Sequence, residues 1–269
     1  MSEQEIPPVV MTFAGVDSTG GAGIQADIES LASIGCHAAP VATAVTVQDT
    51  QNIKSYAAVE AGLVIEQARA VLEDISVSAF KIGMLGSVEN VEAVHGVLTD
   101  YPDIPVVFDP IIIAGGGGML ADEDIVDAMV NLLFPLTTIL TPNSREARAL
   151  APGADNLEAC AQELLEIGCE YVLVTGTHER TAEVINSLYS NRRLLENYAW
   201  ERLPNSYHGS GCTLAATIAG LLAHGLDPVA AVHEAQDFTW QSLRHGYRAG
   251  MGQYLPNRFF WAENEEDEE

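Results

Sequence analysis

Lysine is almost absent from this chain, in which Lys54 and Lys81 are the two examples. Lysine and arginine together number 12 against 38 aspartates and glutamates, which gives a formal net charge of −26 at pH 7. A surface this acidic repels phosphate backbones and anionic lipid headgroups, so nucleic acid and membrane surfaces are not expected partners. An acidic, lysine-poor surface also suits a salty cytoplasm.

The sequence has no apolar run of the ~18 residues that a membrane-spanning helix needs. Residues 1–8 are acidic where a secretory signal peptide would be basic, so we expect a cytoplasmic protein. Its four cysteines form no C-x-x-C pair and show no zinc-like spacing. In a reducing compartment Cys36, Cys160 and Cys169 are therefore interpreted as small buried apolar side chains.

Short β-rich runs alternate with amphipathic stretches, which indicates an α/β fold with a mostly parallel sheet covered by helices. The apolar run at residues 9–14 suits a central strand of such a sheet. No linker or internal repeat divides the chain. We therefore expect a single domain over residues 1–269, with a frayed acidic tail at residues 263–269.

The segment from His208 to Cys212 precedes a strong helical run that continues to residue 223. Gly209 and Gly211 permit unusual backbone conformations and leave room for a ligand. The free amides of a first helical turn bind anions, and the helix dipole reinforces them. This segment is thus a candidate phosphoryl-transfer centre, although a glycine turn before a packed cysteine explains it equally well.

Cys212 is placed by this pattern at the start of the helix, where a thiol's pKa tends to fall. A cysteine with a lowered pKa can accept the proton of a substrate hydroxyl. We therefore expect Cys212 to act as a base, with Gly209 and Gly211 as its catalytic neighbours.

Four further segments lie in the same order along the chain as in one known family. They are residues 14–27 (AGVDSTGGAGIQAD), 81–86 (KIGMLG), 109–110 (DP) and 141–147 (TPNSREA). With residues 208–212 (HGSGC), they resemble the hydroxymethylpyrimidine/phosphomethylpyrimidine kinases of thiamine biosynthesis, within the ribokinase-like superfamily. The resemblance implies a three-layer α/β/α fold, ATP and Mg²⁺ as cofactors, and a tendency to form homodimers.

The resemblance implies that the chain phosphorylates 4-amino-5-hydroxymethyl-2-methylpyrimidine and then its monophosphate. Asp27 and Gln48 would meet the polar edge of the pyrimidine, and an amide such as Gln48 offers both a donor and an acceptor. Met84 would pack on the ring, and Gly15 and Ala22 would leave room for it.

The resemblance also implies a nucleotide and metal site. Ser210, with its glycine neighbours, Thr175 and Asn143 would contact the nucleotide. Asp109 and Glu146 would influence the magnesium ion. Asn143 followed by Glu146 three residues later is also a capping-box pattern, which explains both residues structurally.

Two segments depart from the family pattern. Residues 174–178 (VTGTH) and 114–118 (AGGGG) lack lysines that relatives place near the ATP phosphates. Arg145, Arg180 and His178 are candidates to replace that charge. The departures leave two alternatives open: a pyridoxal or pyridoxine kinase of the same fold, and a pyrimidine-binding protein with weakened kinase activity.

Overall fold

One large mixed sheet dominates the computed structural model, which describes residues 6–112 and 120–265. Within these residues the sheet has nine strands in the order β3-β2-β1-β4-β5-β6-β7-β8-β9. The strands are β1 (Val9–Val16), β2 (His37–Gln48), β3 (Ile53–Ala58), β4 (Ala79–Ile82), β5 (Val106–Phe108), β6 (Ile139–Leu140), β7 (Tyr171–Val174), β8 (Glu183–Ser190) and β9 (Arg193–Glu201). The six strands from β2 to β7 in this order pair in parallel, and β3, β8 and β9 join through antiparallel pairings.

Eight α-helices cover the two faces of the sheet in the described part of the chain. They are α1 (Gly23–Ser33), α2 (Ala61–Leu72), α3 (Val88–Thr99), α4 (Glu123–Ala128), α5 (Ser144–Leu150), α6 (Leu157–Ile167), α7 (Ser210–Ala223) and α8 (Pro228–Arg244). Side chains of α2 to α6 fill the core on one face, and those of α1, α7 and α8 fill the core on the other. The predicted three-layer α/β/α architecture is confirmed.

Apolar strands explain why the sheet is covered on both sides. Along β1, Met11 and Phe13 point into one core and Val10 points into the other, and all three are fully buried. A strand that is apolar on both faces is stable only between two layers. Within the described residues, no helix combines the length and apolarity that a membrane span requires.

The sequence pattern predicts that the second strand of the hairpin after β7 begins near residue 197, whereas β9 starts at Arg193. Its turn uses Asn191 and Arg192, both with positive φ of 51° and 58°. Turns of this kind usually carry glycine. Asn191 is a favoured residue at such a turn, but Arg192 stands where glycine is usual, so the signal for the turn is weak.

The predicted acidic tail, residues 263–269, overlaps the last described element of the chain. A 3₁₀ turn covers Phe260–Glu265, and residues 266–269 lie outside the described part. Trp261 donates an indole hydrogen bond to Ser33 Oγ at 2.7 Å, and the ring of Phe260 stacks on His245. These contacts hold the start of the acidic segment against α1 and α8.

Asn90 ties β2 to the loops that follow β3 and β4. Its buried amide nitrogen donates to the backbone carbonyls of Thr43, Val59 and Leu85 at 2.9–3.1 Å. Leu85 follows Met84, and Thr43 lies in β2. One side chain therefore fixes the loop after β4 relative to the strand that ends at Gln48.

We expect the substitution Asn90→Ala to lower the free energy of unfolding by about 2–3 kcal/mol, because buried carbonyls would lose their donor. Urea unfolding measures the change. Asn131→Ala is the matched control, since Asn131 is exposed and, among the described residues, its amide donates only to Asp127 O of its own turn. Equal losses in the two variants would contradict the proposed role of Asn90.

Candidate active site

The sequence-predicted site residues described by the structure gather at the carboxyl edge of the parallel strands. The chain passes from β1 to β2 on one side, whereas β4 pairs with β1 on the other. Ligands of open α/β sheets bind in the crevice at such a reversal of strand order. The positions are Gly15 in β1, Ala22 capping α1, Gln48 ending β2, Met84 after β4, Asp109 after β5, Asn143 capping α5, and Thr175 after β7.

The start of α7 rests on the glycine-rich loop that follows β1. Gly209 caps the helix in the left-handed region, with φ of 85°. A Cβ at this position would lie 1.8 Å from the carbonyl oxygen of Gly21, so backbone approaches backbone and only glycine fits. The helix begins at Ser210, two residues before the predicted start at Cys212, because Gly209 takes the cap position.

Asp109 faces the first turn of α7. A Cβ on Gly211 would stand 3.3 Å from Asp109 Oδ2. The carboxyl group is buried, and its burial raises its pKa to about 6 even though the Lys81 ammonium lowers it. First-turn amides without helical acceptors therefore lie opposite a carboxylate, an arrangement that suits an anion whose charge a metal partly neutralises.

Lys81 and Asp27 form an ion pair that is fully buried. The ammonium nitrogen lies 2.9 Å from Asp27 Oδ1 and 3.1 Å from Oδ2, and both side chains are 0% exposed. Burial alone would lower the pKa of Lys81, but the carboxylates around it outweigh burial and raise it. The structure thus gives Asp27 a lysine partner beneath the surface, and its carboxylate does not reach the open crevice where a pyrimidine was expected to meet it.

Cys212 differs from the expectation based on its helix position. Its thiol is buried, and burial raises its pKa to about 11, although the ammonium of Lys81 acts in the opposite direction. The prediction of a lowered pKa was wrong, because loss of hydration outweighs the helix terminus. At neutral pH Cys212 is therefore almost entirely a thiol.

Glu146 and Asn143 form the predicted capping box. Asn143 Oδ1 accepts from the amide of Glu146, and Glu146 Oε2 accepts from the amide of Asn143. Glu146 Oε1 also accepts from Ile112 N at 3.4 Å. Asn143 pairs with Thr175 across the ends of β6 and β7. The capping role is thus confirmed, and it places Glu146 beside the segment that follows Asp109.

Two residues on the opposite side of the crevice have properties that suit a flat ligand. The sulfur of Met84 lies 3.5 Å from the position that a Cβ on Gly15 would take. Met84 belongs to a small apolar cluster that includes Ala44. Gln48 Oε1 is buried and has no hydrogen-bond partner among the described residues. A buried amide oxygen without a partner is costly unless a ligand or water satisfies it.

The bond between Asp17 and His208 was not predicted, although both residues lie in motifs that the sequence shows. His208 Nε2 lies 2.8 Å from Asp17 Oδ2, and Asp17 also accepts from Thr19 and from Ala22 N. Burial raises the pKa of Asp17, but the hydrogen bonds of His208 and Thr19 outweigh it and lower the pKa overall. An acid within a glycine-rich motif was the available signal for this link between the loop and α7.

Of the three residues proposed to replace the charge of the missing lysines, His178 is the least suited. Burial and the neighbouring Arg145 lower its pKa, so it carries little charge near neutral pH. The segment 114–118 lies outside the described residues.

The comparisons with known proteins agree with this arrangement of motifs. A family model described as phosphomethylpyrimidine kinase matches residues 17–257. The chain belongs to this family. A hydroxymethylpyrimidine/phosphomethylpyrimidine kinase of Mycobacterium tuberculosis is 38% identical over 252 residues, covering 91% of this chain and 92% of that protein.

Solved structures lead to the same family and fold. The crystal structure of a phosphomethylpyrimidine kinase from Clostridium difficile is 31% identical, with a TM-score of 0.76 over 86% of this chain and 97% of that one. A pyridoxal kinase from Staphylococcus aureus, in complex with AMP-PCP and pyridoxal, has a TM-score of 0.86 at 23% identity and covers 95% of both chains. The expected family and the ribokinase-like fold are thus confirmed.

We expect Lys81→Met to destabilise this phosphomethylpyrimidine kinase family member by about 3–5 kcal/mol, because Asp27 would remain buried without its cation. Urea unfolding at pH 7 measures the loss. The double variant Lys81→Met/Asp27→Leu is the matched control, since it removes both charges and should recover most of the stability. A double variant no more stable than the single one would show that the pair is not the source of the effect.

Proposed function

We propose that this kinase transfers the γ-phosphoryl group of ATP to 4-amino-5-hydroxymethyl-2-methylpyrimidine, and a second phosphoryl group to the resulting monophosphate. Membership of the phosphomethylpyrimidine kinase family supports the substrate class. The observation that carries the proposal for the site is the glycine start of α7 opposite Asp109. Phosphoryl transfer needs little besides positioning and charge stabilisation, which this geometry offers.

The nucleotide would place its phosphates over Gly209, Ser210 and Gly211, with Asn143 and Thr175 along the neighbouring strand ends. ATP use is supported by the kinase family and by the AMP-PCP complex of the S. aureus relative. The hydroxymethyl oxygen of the substrate would attack in line from the Met84 side of the crevice.

Magnesium fits the residues present. Mg²⁺ binds through one or two carboxylates together with water and substrate phosphates. Asp109 and Glu146 supply two buried carboxylates that flank the same segment, although no group of three or more ligating side chains occurs among the described residues. When bound, the ion would neutralise charge on the phosphates, while Asp109 and Glu146 would hold its position.

The pyrimidine would lie between Met84 and the end of β2. The unpaired amide oxygen of Gln48 would accept from the exocyclic amino group of the substrate, and its amide nitrogen would donate to a ring nitrogen. Asp27 would act indirectly in this arrangement, through its buried bond to Lys81.

We infer that the chain acts as one ribokinase-like domain over residues 1–269, in the cytoplasm. We further infer a homodimer. The exposed apolar side chains Val45, Val47 and Tyr56 near the β2–β3 edge support an interface there.

Turnover tests the substrate class directly. Purified protein with Mg-ATP should release ADP with hydroxymethylpyrimidine and with its monophosphate, and much more slowly with pyridoxal. Gln48→Leu should remove the advantage of the pyrimidine, because its polar edge would lose its partner. Faster turnover of pyridoxal would favour the pyridoxal kinase suggested by the structural neighbours, and tight pyrimidine binding without turnover would favour a binding protein.

We expect Cys212→Ala to slow the first phosphorylation about a hundredfold and the second far less. The first acceptor is a hydroxyl that must lose a proton, whereas the acceptor phosphate of the second step is already anionic. Because the pKa of Cys212 is about 11, the first-step rate of the parent should rise with pH from neutral towards that value, and the variant should lose this rise. Single-turnover assays of both steps measure it.

Cys36→Ala is the matched control for Cys212. Burial raises the pKa of Cys36 to about 11 as well, but its thiol contacts Gly220 O, at the other end of α7. Equal first-step rates in Cys212→Ala and the parent would refute Cys212 as the proton acceptor.

A further inference from the structure

Arg258 is a buried cation outside every motif discussed so far. Its side chain is 1% exposed, yet its three guanidinium nitrogens donate to three different elements. Nε donates to Thr213 Oγ1 at 3.0 Å, Nη1 to Glu29 Oε2 at 2.8 Å, and Nη2 to the carbonyl oxygen of Gly21 at 2.6 Å. A charge is buried only where such bonds compensate its lost hydration.

Two of these three bonds end on groups that hold Gly209. Gly209 packs against this carbonyl group of Gly21. Arg258 Nη2 lies 3.1 Å from the position that a Cβ on Gly209 would take. Thr213 Oγ1 accepts from Arg258 and itself donates to Gly209 O at 2.9 Å. The guanidinium therefore sets the distance between the first turn of α7 and the glycine-rich loop.

The segment before Arg258 is fixed to the pyrimidine side of the crevice. Gly252 N donates to Thr50 Oγ1 at 2.9 Å and Gln253 N donates to Thr50 O at 2.8 Å, two residues beyond Gln48. Tyr254 O accepts from His208 N at 2.9 Å, directly before Gly209. One continuous segment, residues 252–258, thus contacts both halves of the crevice.

We propose that Arg258 is a positioning residue for phosphoryl transfer, which holds the start of α7 against the glycine-rich loop in the geometry that the ATP phosphates require. The proposal rests on the proposed function, because it places the phosphates over Gly209 to Gly211. The planar guanidinium bonds to three fixed acceptors at once, and a flexible lysine ammonium would not hold all three in place. Arg258 thereby acts through Gly209 and Thr213, without itself touching the substrate.

Steady-state kinetics of Arg258→Lys and Arg258→Met test this role. We expect the KM for ATP to rise about tenfold or more and kcat to fall, because bonds of a charged donor are lost. The KM for the pyrimidine should change much less, because the bonds of Gly252 and Gln253 to Thr50 do not involve the guanidinium. Ser33→Ala is the matched control: it removes the bond that Ser33 donates to Arg258 O and the one it accepts from Trp261, without touching the guanidinium. It should lower the melting temperature and leave the KM for ATP unchanged.

An unchanged KM for ATP in both Arg258 variants would overturn the proposal, as would an equal rise in Ser33→Ala. If neither Arg258 variant folds, Thr213→Val replaces them, because it removes one acceptor of the guanidinium and should raise the KM for ATP. Gly211→Ala separates a failure of the Arg258 proposal from a failure of the proposed phosphate site, since its methyl group would point towards Asp109. If it raises the KM for ATP and the Arg258 variants do not, the Arg258 proposal alone fails. If none of these variants does, the phosphate site itself is misplaced.

Discussion

The approach of Gly209 to the carbonyl oxygen of Gly21 is the constraint on which the crevice depends. No side chain fits between the two backbones, so α7 can begin only where the loop after β1 allows it. His208 and Asp17 bind across the same junction at 2.8 Å. The position of the first-turn amides is therefore a tertiary property, set by two segments almost two hundred residues apart.

The core near the start of α7 contains several buried charged groups. Asp27, Lys81 and Asp109 lie beneath the start of α7, where each carries a charge that water hardly reaches. Such groups stabilise a fold less than apolar residues would, and they are tolerated when they specify a site. Here the effect on Cys212 is direct, because Lys81 lowers its pKa while burial and the two carboxylates raise it. Burial, with smaller contributions from Asp109 and Asp27, thus keeps the thiol protonated.

The sequence predicted the order of the layers well, because apolar runs and amphipathic helices are local patterns. The sequence pattern predicts helices at residues 61–72 and 157–167 and a strand at residues 79–82, and α2, α6 and β4 have these bounds. What failed was non-local. The burial of Cys212 and the lysine partner of Asp27 depend on side chains that meet only when β4, α1 and α7 pack together, and no spacing along the chain reports that.

Arg258 shows the same limit, since a single arginine near the end of an acidic chain has no sequence signature. Its position bears on the charges that this chain lacks. The segment 174–178 has no lysine that could reach the phosphates of a bound nucleotide. Lys81 and Arg258 are instead fully buried near the start of α7, and each is paired with an acid. Buried cations cannot follow a phosphate as it moves, but in the proposed site Arg258 would hold the amides that bind it. In the proposed site, positive charge would therefore contribute mainly by organising the backbone, and the amides of α7 would carry the contact with the anion.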